Sequence, residues 1–223
     1  MRLDRRMIGL LILTVLIVGN IYIIGIYAPI ERTMGVVQKV FYFHISSAWI
    51  GMLAFVVVFL CSILYLWRRS EEVNQVAVAS AEIGVVFISC TLLTGPIWAY
   101  PIWNTWWTWD PRLTTTLVLW FMYAAYIALQ GGGAAENRRR FAAVYGIIAF
   151  INVPLVFFSA RWWRSIHPVI VSSEGMNLDP RMKTALYASI IAFSALYVHL
   201  AKMRLSVLRL RKRVETLREN LVY

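Results

Sequence analysis

Two of the three histidines in this sequence are the side chains best suited to binding a metal centre. His44 follows the aromatic run Phe41-Tyr42-Phe43, and His167 follows the pair Trp162-Trp163 in a short polar segment. Imidazole is a common axial ligand of haem iron, and two imidazoles in trans give a six-coordinate site. A lone histidine is more often structural, but two on the same side of the membrane as a tryptophan-rich loop are candidates for iron ligation. His199 is predicted to be structural, because it lies near the opposite end of the last apolar segment.

Tryptophan is concentrated in one short stretch of the chain. Five of the ten tryptophans fall within twelve positions, at Trp98, Trp103, Trp106, Trp107 and Trp109. One interpretation is an interfacial belt, since indoles favour the lipid headgroup region. A belt, however, spreads its aromatics over many helix ends. Because large rigid ring faces suit a flat apolar ligand, the density favours a binding platform made by Trp103, Trp106, Trp107 and Trp109.

The tripeptide Asp110-Pro111-Arg112 closes this stretch. Aspartate suits a helix N-cap and proline suits the first helical turn, so the local role predicted for Asp110 is to start a helix. The same tripeptide recurs at 179–181, away from any tryptophan. The planar guanidinium of Arg112 also suits a ligand carboxylate. Trp162 and Trp163 are either a second wall of the same pocket or an anchor for a helix end.

Long apolar segments must position these residues. The sequence is 60% hydrophobic and 15% charged, and about 20 consecutive apolar residues cross a bilayer. Six segments reach that length, which predicts an all-α, polytopic bundle with little chain left for a soluble domain. They are Met7–Pro29, Phe43–Trp67, Val76–Tyr100, Arg112–Gln130, Phe141–Ala160 and Met182–Lys202.

The net charge of +11 follows the membrane topology. With a cytoplasmic N-terminus, seven of the 22 basic residues face outward and the other 15 lie inside, as the positive-inside rule requires. This asymmetry accounts for the net charge, so no nucleic-acid partner is needed to explain it. It also predicts that both termini are cytoplasmic. The outward face then holds residues 28–42, about 97–111 and about 161–181, which include His167, and His44 follows at the outer end of the second span.

Several function classes are excluded by what the sequence lacks. No Cys-x-x-Cys-His motif occurs, so no c-type haem is attached to this chain. Cys61 and Cys90 fall in apolar spans and are expected to be inert. No nucleophile with a base, phosphate loop or carboxylate pair is present, which argues against an enzyme.

The chain is predicted to form one membrane domain over residues 1–223, with the tryptophan loop at about 97–112. Residues 203–223 form a basic cytoplasmic tail with apolar residues spaced three and four apart. That stripe is too short to establish a coiled coil. The spacing is compatible with three alternatives: contact with a partner protein, contact with the membrane surface, or a solvated helix end.

The run from Trp103 to Thr114, Trp-Asn-Thr-Trp-Trp-Thr-Trp-Asp-Pro-Arg-Leu-Thr, closely resembles the WWD motif of the haem-handling proteins of cytochrome c biogenesis. Six spans and a single pair of outward histidines resemble the haem exporter protein C family (CcmC) in particular. The likeness extends to residues 41–49 and 162–167, and so covers nearly the whole chain. Asn104 stands where that family usually has glycine, which bears on the backbone of the loop.

The resemblance implies that the tryptophan loop holds non-covalent haem b while His44 and His167 ligate its iron. It also implies delivery of haem to the periplasmic chaperone CcmE, in a complex with the ABC transporter subunits CcmA and CcmB and the small membrane protein CcmD. The implied location is the bacterial inner membrane, with the haem site facing the periplasm.

Two other functions compete with this one. A b-type redox cytochrome holds haem between helices at depth, whereas here one ligand is in a loop and the other at a helix end. A small-molecule permease would show internal repeats or polar groups near the midplane. Glu82 is the only acid within a span, which gives no conduction path.

Overall fold

The computed structural model describes residues 5–130, 136–168, 171–172, 175–176 and 178–222. It confirms an all-α bundle with six helical segments long and apolar enough to cross a membrane. The basic residue Arg2 and the ends of the predicted domain lie outside the described residues. The helices are α1 (Arg5–Tyr22), α2 (Val40–Arg68), α3 (Glu71–Trp103), α4 (Pro111–Gln130), α5 (Glu136–Phe150), α6 (Asn152–Trp162) and α7 (Pro180–Val222).

Short irregular elements connect these helices. A short π-helix (Ile23–Tyr27) follows α1, and a 3-10 helix (Val36–Lys39) leads into α2. The only strands among the described residues are β1 (Val171–Ser172) and β2 (Gly175–Met176), which pair antiparallel before α7. The fifth span is two helices, α5 and α6. Pro154 explains the break, because its missing N–H removes a hydrogen bond at the start of α6.

The centre of the bundle is the contact between α2 and α3. Gly51 and Gly84 allow the two helices to approach closely, since a Cβ on Gly84 would stand 2.5 Å from Cε1 of Phe55. The ring of Phe55 stacks on Tyr123 of α4 at a centroid distance of 3.5 Å. Small residues at helix crossings are typical of membrane bundles, where packing rather than water exclusion holds helices together.

Ion pairs gather at one end of the bundle. Glu71 at the start of α3 accepts Arg139 of α5 at 2.5 Å and lies 3.4 Å from Lys212 of α7. Glu82, the one acid predicted within a span, is paired with Arg204 through both of its oxygens. These contacts tie α3, α5 and α7 together at the end opposite His44 and His167.

The tryptophan-rich connection is shorter than the predicted 97–111. α3 continues as helix through Pro96 and Pro101 to Trp103, so only residues 104–110 separate it from α4. Asn104 ends the helix in the left-handed conformation, with φ of 50°. Asparagine is one of the few non-glycine residues that adopt this region readily. Asn104 can therefore adopt the left-handed conformation that a glycine would adopt at this position.

Candidate functional site

One cavity of about 340 Å³ joins the residues that the sequence analysis singled out. It lies between α2, α3, α4, α6 and α7, and its lining is mostly apolar. His44, His167, Trp103, Trp107 and Arg112 all contribute to its walls. A largely apolar pocket with a few convergent polar groups is the usual form of a ligand site, and this volume falls within the usual range.

His44 is buried on the first turns of α2 and is held from α3. Its ring stacks on Trp98 at a centroid distance of 5.9 Å. Gly95 makes room for it, since a Cβ at that position would lie 3.1 Å from Cε1 of His44. The imidazole is therefore fixed by close packing, as a preformed metal ligand requires.

The hydrogen bonds around His44 define its tautomer. Nδ1 of His44 lies 3.2 Å from Oγ1 of Thr94. The single hydroxyl proton of Thr94 is donated to the carbonyl oxygen of Cys90 at 2.7 Å. Thr94 can then only accept from His44, so we assign the proton to Nδ1. This assignment leaves the lone pair on Nε2, the nitrogen through which a histidine with such a partner binds a metal.

His167 lies in the connection after α6, near both Trp98 and Trp103, at centroid distances of 6.3 Å to each ring. Its Nδ1 is 3.1 Å from the carbonyl oxygen of Pro168 and 3.3 Å from Nη1 of Arg112. Burial and the adjacent guanidinium lower the pKa of His167 to about 4. Its imidazole is thus neutral near pH 7, because the charged form is poorly solvated here.

Asp110 connects the tryptophan loop to the His167 segment. Its Oδ1 accepts the backbone N–H of Arg112 at 2.9 Å, which is the predicted N-cap role. Its Oδ2 accepts the hydroxyl of Ser165 at 2.7 Å and the N–H of Ile166 at 2.9 Å. Ser165 in turn accepts the N–H of His167 at 3.0 Å. One buried carboxylate therefore positions segments about 55 residues apart.

Arg112 is directed to the cavity from the first turn of α4. Its Nη2 donates to the carbonyl oxygen of Phe157 at 2.9 Å, and its Nη1 faces His167. Its Nε is buried and has no hydrogen-bond partner among the described residues. A buried donor without a partner is costly, and an anionic group of a ligand would satisfy it.

The predicted tryptophans divide into two sets. Trp103 and Trp107 line the cavity. Trp106 is 58% exposed and stacks on Tyr100, while Trp109 is 76% exposed. Trp162 and Trp163 are also exposed and lie outside the cavity lining. The four exposed indoles are therefore not brought to the cavity with the histidines.

Several cavity residues were not among the predicted site residues. The ring of Trp98 contacts the rings of both histidines. Trp98 belongs to the same tryptophan-rich run, so the density of tryptophan in that run was a signal that could have identified it. Thr94 and Gly95 act on His44 one helical turn before that run. Arg161 lines the cavity and stacks on Phe157 at 5.3 Å. No local pattern distinguishes these three from ordinary helix residues.

Comparisons with known proteins show the family to which this chain belongs. The family model described as heme exporter protein C matches residues 1–219. A heme exporter protein C of Bradyrhizobium diazoefficiens is 36% identical over 199 residues, covering 85% of this chain and 76% of the relative. The heme exporter protein C of Escherichia coli is 34% identical over 194 residues, covering 86% and 78%. The chain therefore belongs to the heme exporter protein C family, whose members handle haem in cytochrome c biogenesis.

Proposed function

We propose that this protein binds non-covalent haem b in the cavity through His44 and His167 and delivers it to the chaperone CcmE. The observation that carries the proposal is that both histidines line one apolar cavity together with Trp103, Trp107 and Arg112. The two neutral imidazoles suit the iron of haem, the indole faces suit its flat macrocycle, and the guanidinium suits its propionates.

Each histidine has a defined part in this binding. His44 offers Nε2 from a rigid helix, because Thr94 accepts its Nδ1 proton. His167 is on a loop, where ligation through Nε2 requires Nδ1–H to donate to the carbonyl oxygen of Pro168. One fixed ligand and one loop ligand suit a site that must both hold and release haem. Arg112 is the donor for a propionate through its partnerless Nε.

The two sets of tryptophans have different parts in the proposal. Trp103 and Trp107 contact the macrocycle inside the cavity. The exposed indoles of Trp106, Trp109, Trp162 and Trp163, called here the aromatic rim, are proposed to contact the outer edge of haem during transfer. Exposed aromatic side chains are common at protein contact surfaces, and this rim is where CcmE would approach.

The charge asymmetry supports the orientation. The end with the ion pairs carries most of the basic residues, so we place it, with both termini, in the cytoplasm and the cavity at the periplasmic face of the bacterial inner membrane. Membership of the family implies other proteins of the same Ccm system. We propose CcmA, CcmB and CcmD as membrane partners, with the ABC transporter subunits supplying any ATP-driven work.

The spectrum and extraction of the purified protein test the function. We expect a b-type absorption spectrum and complete removal of haem by acid-acetone, because there is no Cys-x-x-Cys-His to hold it covalently. Mixing the haem-loaded protein with purified apo-CcmE should then move haem to the chaperone. Haem that stays with this polypeptide after extraction, or that is not transferred, would contradict the proposal.

Replacing Thr94 by valine tests the assigned tautomer. Thr94→Val keeps the shape of the side chain but removes the acceptor for Nδ1 of His44. We expect haem affinity to fall about 10- to 100-fold, the usual effect of losing a partner of a metal-bound histidine, with a shifted Soret band. Thr184→Val is the matched control, because Thr184 also donates to a carbonyl four residues earlier but contacts neither histidine. Equal haem affinity in the two variants would refute the assignment.

A further inference from the structure

The last part of α7 extends past the end of the bundle. α7 has 43 residues, about 64 Å at 1.5 Å per residue, whereas the hydrocarbon layer is about 30 Å thick. Lys212 is in contact with Glu71, the first residue of α3. The helix beyond Lys212 therefore continues past the level at which α3 begins.

From Met203 to its end, α7 has one apolar and exposed face, which begins beside α3 and continues past the end of the bundle. The six residues at its heptad a and d positions are each at least 53% exposed, and they are Met203, Val207, Leu210, Val214, Leu217 and Leu221. Lys212, on the opposite face, contacts Glu71, and Arg204, beside Met203, pairs with Glu82. We call the exposed face the tail seam. Spacings of four and three over more than two heptads are those of a coiled-coil contact.

The charges beside the seam determine what it can pair with. The flanking e and g positions hold four arginines and no acid, and the arginines are Arg204, Arg211, Arg213 and Arg218. Arg211 is bonded to Glu215 of the same helix at 3.0 Å, while Arg213 and Arg218 have no ion pair within the described residues. A second copy of this chain would place arginine opposite arginine in either orientation. Such like-charge pairs select against self-association.

From this pattern we propose that the tail seam binds an acidic amphipathic helix of a partner protein. Leucine or valine on that helix would bury the seam, and its glutamates or aspartates at e and g would face Arg213 and Arg218. The surface lies at the opposite end of the bundle from the cavity. It serves assembly and is independent of haem binding.

Binding of designed peptides to the full-length protein in phosphatidylcholine nanodiscs tests the inference. The probe is a fluorescent three-heptad peptide with leucine at a and d and glutamate at e and g, and its counterpart has lysine at e and g. We expect the acidic peptide to bind, more weakly as salt rises, and the basic peptide not to bind. The double variant Val214→Ser, Leu217→Ser should weaken binding at least about tenfold, because two buried apolar side chains are lost.

Two further variants control for helix unfolding and for charge. Thr216→Ala, away from the seam, should bind the acidic peptide as the parent does. Arg213→Glu with Arg218→Glu should reverse the preference and bind the basic peptide. Equal binding of both peptides would overturn the proposal. So would tail-dependent dimerisation in sedimentation, or tail-dependent binding to anionic phosphatidylglycerol vesicles without peptide binding.

Discussion

Replacing His44 or His167 by alanine is expected to remove most of the haem from the purified protein. Each change deletes an imidazole that lines the cavity, and no other histidine is near enough to replace it. Haem content should fall by more than about tenfold, since even the outer partners of metal ligands contribute 10- to 100-fold. Absorption spectra of equal amounts of protein measure the effect, and cytochrome c maturation in cells should fail with either variant.

Two controls make this prediction specific. Exogenous imidazole should restore part of the Soret band in both alanine variants, because it fills the vacated coordination position. His199→Ala should keep normal haem content, since His199 is on α7 and does not line the cavity. If His199→Ala lost as much haem as the other two, or if imidazole restored neither variant, the assignment of the ligands would be wrong.

Changes in the tryptophan loop are expected to separate haem retention from haem transfer. Trp103→Ala and Trp107→Ala each remove an indole from the cavity wall. Haem affinity should fall about ten- to a hundredfold, since burial and ring contact of one large aromatic contribute that much. Membrane levels should stay near normal, because neither residue belongs to the buried core of the bundle.

The exposed loop tryptophans should behave differently. Trp106→Ala and Trp109→Ala leave the cavity wall intact, so haem should be retained while transfer to CcmE slows. Trp67→Ala is the control, because Trp67 is 79% exposed at the opposite end of the bundle and should change neither property. Haem content and a timed transfer assay measure the two effects. Full retention and full transfer in all four loop variants would leave these tryptophans as membrane anchors only.

Much of the architecture could be predicted from the sequence because hydropathy is a local property. Each span is one apolar run, and its length alone decides whether it crosses a bilayer. The six predicted segments therefore match six membrane spans among the described residues, although the end of α3 and the break between α5 and α6 were not predicted. Proline is present at both places but acts differently, since Pro96 and Pro101 are accommodated within α3 whereas Pro154 accompanies a break.

By itself the sequence determined the chemistry that this protein can offer: two histidines, a dense tryptophan run and Asp110-Pro111-Arg112. Only the tertiary structure decided which of these groups meet. Trp103 and Trp107 face the cavity while Trp106 and Trp109 face outward, because the left-handed turn at Asn104 and the packing of α3 against α4 set their directions. Asp110 joins a segment 55 residues later, and Thr94 defines the tautomer of a histidine 50 residues earlier. Such contacts depend on how helices cross, and no local pattern in a single sequence records that geometry.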